Sequence, residues 1–164
     1  MNTTSAESIA QYRELQARPN IDEITQRYDE MRAVIRERLA TGIGIGPWIK
    51  DDENSRAGCG DYPDVDQRFK ESRGLALWAV EAAIPDEKWP DAVRIFAEIA
   101  GGYGFGDMIT VVDRPGHHQV SLSDSFGAEL RLGTKVHITL GASTGCHLRK
   151  EPMQFGSTTV LPPT

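Results

Sequence analysis

Between Ile21 and Leu39 the apolar positions Ile21, Ile24, Tyr28, Met31, Ile35 and Leu39 fall in steps of three and four, the spacing of a helix that buries one face. Asn20 and Glu23 form a capping-box pair at its start, and Gly42 is the expected stop. The opposite face carries Glu23, Arg27, Glu30, Arg32, Glu37 and Arg38 and reads as solvated surface. A shorter, weakly held helix is predicted before it. Its signals are the capping box Thr4-Ser5-Ala6-Glu7, then Ile9, Tyr12 and Leu15, with Pro19 beyond its end. A second main helix is marked by Trp89, Val93, Phe96 and Ile99, with Pro90 in its first turn and Gly101-Gly102 as its stop.

The period changes from about 3.6 to 2 after Gly104. Strands are predicted over 108–113, 118–123, 128–132 and 136–140, with Val120/Leu122 and Val136/Ile138/Leu140 alternating and Pro115-Gly116 and Gly133-Thr134 as turns. A last short strand is expected over 146–148. Earlier in the chain, Trp48-Ile49-Lys50 reads as a short strand. Asp64 to Ser72 reads as one or two helical turns with Val65 and Phe69 on one side, and Leu75 to Ile84 as a central strand. Trp48, Trp78 and Trp89 are expected in the core. Helices first and hairpins later predict an α+β, two-layer domain, with two main helices packed on a largely antiparallel sheet of about five strands. The boundaries read as a tether and short helix over 1–19, a single domain over 20–150, and an irregular tail over 151–164.

At 164 residues, 39% of them hydrophobic, the chain is large enough for one well-filled core. Its 18 Lys and Arg against 24 Asp and Glu leave a formal charge of −6, so a phosphate-neutralising face for nucleic acid is not expected. Neither a membrane-spanning run nor a signal sequence is legible, since Met1 is followed by Asn2-Thr3-Thr4-Ser5. A soluble chain is the expectation.

Candidate chemistry is sparse. Gly141-Ala142-Ser143-Thr144-Gly145 matches the Gly-x-Ser-x-Gly nucleophile elbow, and a small secreted serine hydrolase using Ser143 with His137 or His147 and Asp124 is the alternative it offers. The elbow needs a helix after the serine, whereas Cys146-His147-Leu148 follows; a hairpin turn explains the same letters. Gly42-x-Gly44-x-Gly46 has the order of strand and helix reversed for dinucleotide binding. His117 and His118 read as solvated turn histidines, and His137 as outward-facing. Asp51, Asp52 and Glu53, with Asp61, Asp64 and Asp66, are the weak candidates for a hard cation such as calcium, although their spacing is not that of a calcium loop. No metal site, cofactor or catalytic set is assigned.

Cys59 and Cys146, 87 positions apart, match neither metal nor redox spacing. Composition leaves a single bridge and two separate thiols equally open.

Several segments in order resemble the mycobacterial LppA/LppV-type lipoproteins, small acylated cell-envelope proteins. They are Arg36-Glu37-Arg38-Leu39, Trp48-Ile49-Lys50-Asp51-Asp52-Glu53-Asn54, Gly58-Cys59, Glu98-Ile99-Ala100 before Tyr103-Gly104, His137-Ile138-Thr139 and Cys146-His147-Leu148. The resemblance runs from about Thr25 to Lys150. It implies a signal peptide ending in a lipidated, palmitate-bearing cysteine upstream of Asn2, a segment this chain does not carry. It further implies a lipid-anchored, extracytoplasmic domain at the cell membrane with an unknown envelope partner, and supplies no catalytic residues. Export to an oxidising compartment favours a Cys59–Cys146 disulfide. A non-enzymatic binding or structural role is therefore the expected function.

Overall fold

The computed structural model describes residues 5–151; Thr4, the cap expected for the first helix, and the tail beyond Glu151 lie outside them. Three α-helices, α1 (Ser5–Gln16), α2 (Ile21–Ile43) and α3 (Trp89–Gly101), accompany eight strands: β1 (Ile49–Lys50), β2 (Ser55–Ala57), β3 (Lys70–Val80), β4 (Gly106–Arg114), β5 (His117–Ser123), β6 (Glu129–Thr134), β7 (Ile138–Ser143) and β8 (His147–Leu148). Every pairing is antiparallel, in the order β1-β3-β7-β6-β5-β4, with β2 and β8 also paired to β3. The α+β class is as expected, but the sheet has eight strands and not about five. β1 and β2 are two and three residues long and exposed throughout, so neither presents the alternation by which a strand is read.

The core lies between the α2/α3 layer and one face of the sheet. Val120 and Leu122 on β5, Leu130 and Leu132 on β6, and Ile138, Leu140 and Ala142 on β7 all point into it, and the registers Leu122↔Leu130, Val120↔Leu132 and Leu132↔Leu140 stack them into rows. Gln119, Ser121, Arg131 and Thr139 lie on the other face, half-exposed.

Helix α2 begins as expected, with the Asn20–Glu23 capping box formed in both directions, but it runs through Gly42 and stops at Gly44 (φ 72°). There the left-handed turn returns the Ile45 amide to the Leu39 carbonyl and buries Ile45. Helix α3 is rotated from the expected face: Trp89, Ala92, Ile95, Phe96 and Ala100 are buried, while Val93 and Ile99 sit half-buried at the margin. The central strand is β3, shifted from the expected 75–84 to 70–80, because the segment from Asp66 supplies only a single 3-10 turn over Gln67–Phe69. Strand β7 likewise starts at Ile138 and leaves Val136 71% exposed.

A second apolar cluster contains the disulfide. Cys59 and Cys146 are bridged, with their Cα atoms 5.7 Å apart, among Leu15, Val65, Phe69, Tyr12, Tyr62 and Leu148. α1 is part of this body: Leu15 is fully buried and Gln11 bonds both the Asp64 carboxylate and its amide. Arg18 fastens the three segments together by donating to the carbonyls of Phe126 (3.1 Å) and Cys146 (2.9 Å) and to the Tyr62 hydroxyl (2.8 Å). From the loop side, the buried Lys70 ammonium donates to the carbonyls of Asp61 and Tyr62; burial pulls its pKa below the ordinary lysine value.

Candidate functional site

The nucleophile-elbow letters fold as strand. Gly141, Ala142 and Ser143 belong to β7, where Ser143 is opposite Gly74 and Glu129, and Thr144 exchanges two hydrogen bonds with the Arg73 backbone. The expected partners of Ser143 are occupied elsewhere. His147 is fully buried, its Nδ1 bonded to the Pro19 carbonyl at 2.8 Å, and burial lowers its pKa below the ordinary histidine value. Asp124 accepts the amides of Phe126 and Ala128 and the Tyr28 hydroxyl, which organises the β5–β6 turn. His137 is exposed in the β6–β7 turn. None of the three is hydrogen-bonded to Ser143, so the triad is not assembled.

Gly145 has a different duty from that of an elbow glycine: a Cβ on it would lie 1.7 Å from the Phe126 carbonyl oxygen. Backbone cannot give way as a side chain can. Gly145→Ala is therefore expected to destabilise by about 1–3 kcal/mol or more, and a chemical denaturation midpoint equal to that of the parent chain would contradict the packing.

His118, expected in a solvated turn, is buried on β5, stacked on Trp89 (ring centroids 5.1 Å apart) and bonded to Asp86 (2.7 Å) and Asp113 (2.8 Å). The hydrogen bond that the ring donates to Asp86, helped by Asp113, raises its pKa above the ordinary histidine value. A raised folded-state pKa contributes stability that is complete below about pH 6.5, the unfolded value, and is lost as pH rises through the folded one. The gap in melting temperature between the parent chain and His118→Gln is expected to be wide at about pH 6 and to narrow by about pH 9; a gap that widens with pH would reverse this sign.

The acids Asp51, Asp52 and Glu53 occupy the β1–β2 connection. On this edge β3 pairs with β2 up to Gly74 and with β1 from Trp78 on, so the backbone between them faces the connection without a strand partner. Asp52 accepts from the Leu77 amide (2.5 Å) and Asn54 from the Ala76 amide (2.7 Å), while Glu53 pairs with Lys50 (3.2 Å). Among the described residues no group of three or more His, Cys, Asp or Glu is placed to hold a metal ion.

What the fold assembles is a basic groove along β2, β3 and the flank of α2. On β3, Glu71 and Arg73 share a face by period-two alternation, and Arg73 stands opposite Arg56 of β2. Two like charges in register would repel. Glu71, fully buried, resolves this by accepting from Arg73 Nε (2.5 Å) and Arg149 Nη1 (2.5 Å), with Arg56 at 3.8 Å, and Arg73 also reaches Asp22 of α2 at 2.8 Å. The cleft above this cluster, about 200 Å³, is lined by Asp22, Arg56, Glu71, Arg73, Arg149, Lys150 and Glu151 together with Ile21. Arg56 and Arg73 pass into a second cleft of about 260 Å³ with Lys50, Glu53 and Asn54, and Lys50 and Asn54 into a third of about 210 Å³ with Asp29, Arg32, Arg36, Ala76 and Trp78. Cations outnumber acids along this path, although the chain as a whole is at −6.

Arg32, like His118, departs from the expectation for its element. Its position on the charged face of α2 predicts solvation, yet it is 1% exposed, donating from Nη1 to the Ala76 carbonyl and from Nη2 to Asp29. Trp78, expected in the core, is half-buried beside it, with the Arg36 guanidinium 3.6 Å above its ring. The only sequence signal was the pair of arginines four apart on one helix face, which carries no mark of burial until β3 is laid against it.

The LppA family, described as a lipoprotein confined to pathogenic Mycobacterium, matches residues 1–150. The chain belongs to the LppA family. Among solved structures, that of the LppA lipoprotein from Mycobacterium tuberculosis superposes with a TM-score of 0.75 at 17% identity, over 99% of this chain and 100% of that one. A DUF4853 family protein from Actinomyces odontolyticus gives 0.61 at 15% identity, over 89% of this chain and 78% of the other. At such identities both likenesses concern the fold alone. No curated protein matches the sequence. The LppA membership agrees with the resemblance read from the order of motifs, and no helix among the described residues is long and apolar enough to cross a membrane.

Proposed function

We propose that this LppA-family chain is the extracytoplasmic domain of a lipid-anchored cell-envelope lipoprotein, acting by binding and not by catalysis, with the groove along β2 and β3 as its binding face. The observation that carries the reading is the Cys59–Cys146 disulfide within a lipoprotein-family domain. A bridge of this kind persists in an exported protein and is seldom kept in a reducing cytosol. The anchor in this reading is an acylated, palmitate-bearing cysteine that precedes Asn2 in the native chain after removal of a signal peptide. One or two acyl chains hold a domain of this size at a membrane surface without any spanning helix. An envelope partner or ligand then meets the groove from the aqueous side.

Expression of the native gene in a mycobacterial host, followed by detergent phase partition and thiol titration under denaturing conditions, tests the reading. Recovery in the detergent phase, with a mass increment of acyl chains and no free thiol, is the expected result. Recovery in the aqueous cytosolic fraction with two free thiols would sink it.

A further inference from the structure

Arg32 and Arg36 stand one turn apart on α2, so their side chains share a face. Arg32 is 99% buried, being 1% exposed, and its Nε has no hydrogen-bond partner among the described residues. The two Nη atoms are engaged by the Ala76 carbonyl and Asp29, and Asp29 is itself half-exposed. The Arg36 guanidinium has the Trp78 ring as its contact and no hydrogen bond or ion pair among the described residues. Each guanidinium offers N–H donors in a fixed fork and cannot shed its charge. Burial pulls both guanidiniums below the ordinary arginine pKa, against the opposing charge of Asp29. Asn54, across the cleft, is held by its Oδ1 on the Ala76 amide, and its Nδ2 donates no hydrogen bond among the described residues. The space between these groups is about 210 Å³, on the order of seven waters at roughly 30 Å³ each.

We propose that the cleft between Arg32, Arg36 and Trp78 is a binding site for an oxyanion, a carboxylate or phosphate group carried by a small polar molecule. Arg36 supplies a bidentate fork stiffened by its seat on Trp78, Arg32 Nε a buried donor, and Asn54 and Lys50 the outer wall. Charge-assisted hydrogen bonds of this kind are the strong ones. The inference deepens the reading of the groove as the binding face by naming the part that takes the charged group, and it is separable from that reading by where binding occurs.

The test is a two-dimensional NMR titration of the intact chain with inorganic phosphate and with sodium acetate, using sodium chloride as the ionic-strength control, read at the Trp78 indole, the Arg36 Nε and the Ala76 amide. Saturable shifts at these positions with phosphate, acetate or both are expected, and which probe acts identifies the group. Arg36→Met, which keeps the stem and loses no hydrogen bond, is expected to fold and melt as the parent does and to weaken binding about tenfold or more; Arg36→Lys should recover part of it. Saturable shifts confined to Arg56, Arg73 and Arg149 would overturn this inference and leave the groove reading standing. Shifts no larger than those from chloride, or unchanged affinity in Arg36→Met, would overturn it outright.

Discussion

Replacing Cys59 and Cys146 together by alanine, or reducing the bridge, lowers the free energy of unfolding by about 4–5 kcal/mol and the melting temperature by about 10–20 °C. The size follows from the 87-residue separation, since a long closed loop removes much freedom from the unfolded chain. A local consequence distinguishes this from a uniform loss. The bridge lies in the satellite cluster of Leu15, Val65 and Phe69 and not in the main core. Amides in α1 and in the loop over 59–69 should therefore lose hydrogen-exchange protection before those of β5, β6 and β7. Denaturation with and without reductant checks the magnitude, and exchange mass spectrometry the location. A loss below about 1 kcal/mol would mean that the unfolded chain is already held together without the bridge.

Glu71→Gln is expected to cost about 3–5 kcal/mol. The carboxylate is fully buried, and two guanidiniums at 2.5 Å and a third at 3.8 Å depend on it. A neutral amide of the same shape leaves Arg73 and Arg149, each 10% exposed, facing one another and Arg56 with Asp22 as the remaining acid in contact. Removing a repelling partner should restore part of the loss, so Glu71→Gln with Arg149→Met is expected to be less destabilised than the two single changes added, by about 0.5–3 kcal/mol. Strict additivity in urea denaturation would show that the ion cluster is not one unit. Because the same arginines line the groove, Glu71 also sets how much of their charge faces a ligand.

The helices were legible because a helix announces itself locally. The capping box at Asn20 and the three-four spacing through Leu39 are properties of adjacent residues, and the strands β5 to β7 follow from alternation over a few positions each. The errors have local causes too. Gly42 and Gly44 are both capable of ending α2, and only the burial of Ile45 selects the second. The satellite strands β1 and β2 owe their pairing to β3, with nothing in Ile49–Lys50 or Ser55–Ala57 to mark them.

The sequence by itself determined the α+β class, the main helices, the hairpin half of the sheet and, through the order of its motifs, the LppA family. Charge could not be read in the same way. Whether an arginine on a helix is solvated or buried depends on what is laid over it, and Arg32 became a buried donor because β3 lays the Ala76 carbonyl against it. His118 changed from a turn residue to a buried partner of two acids because Asp86 arrives from 32 positions away. Glu71, unremarkable in the sequence, became the center of the groove when β2 set Arg56 opposite Arg73. Periodicity reports a residue's own element, whereas the electrostatics of a site belong to pairs distant in the chain, and those pairs were decided by the tertiary structure alone.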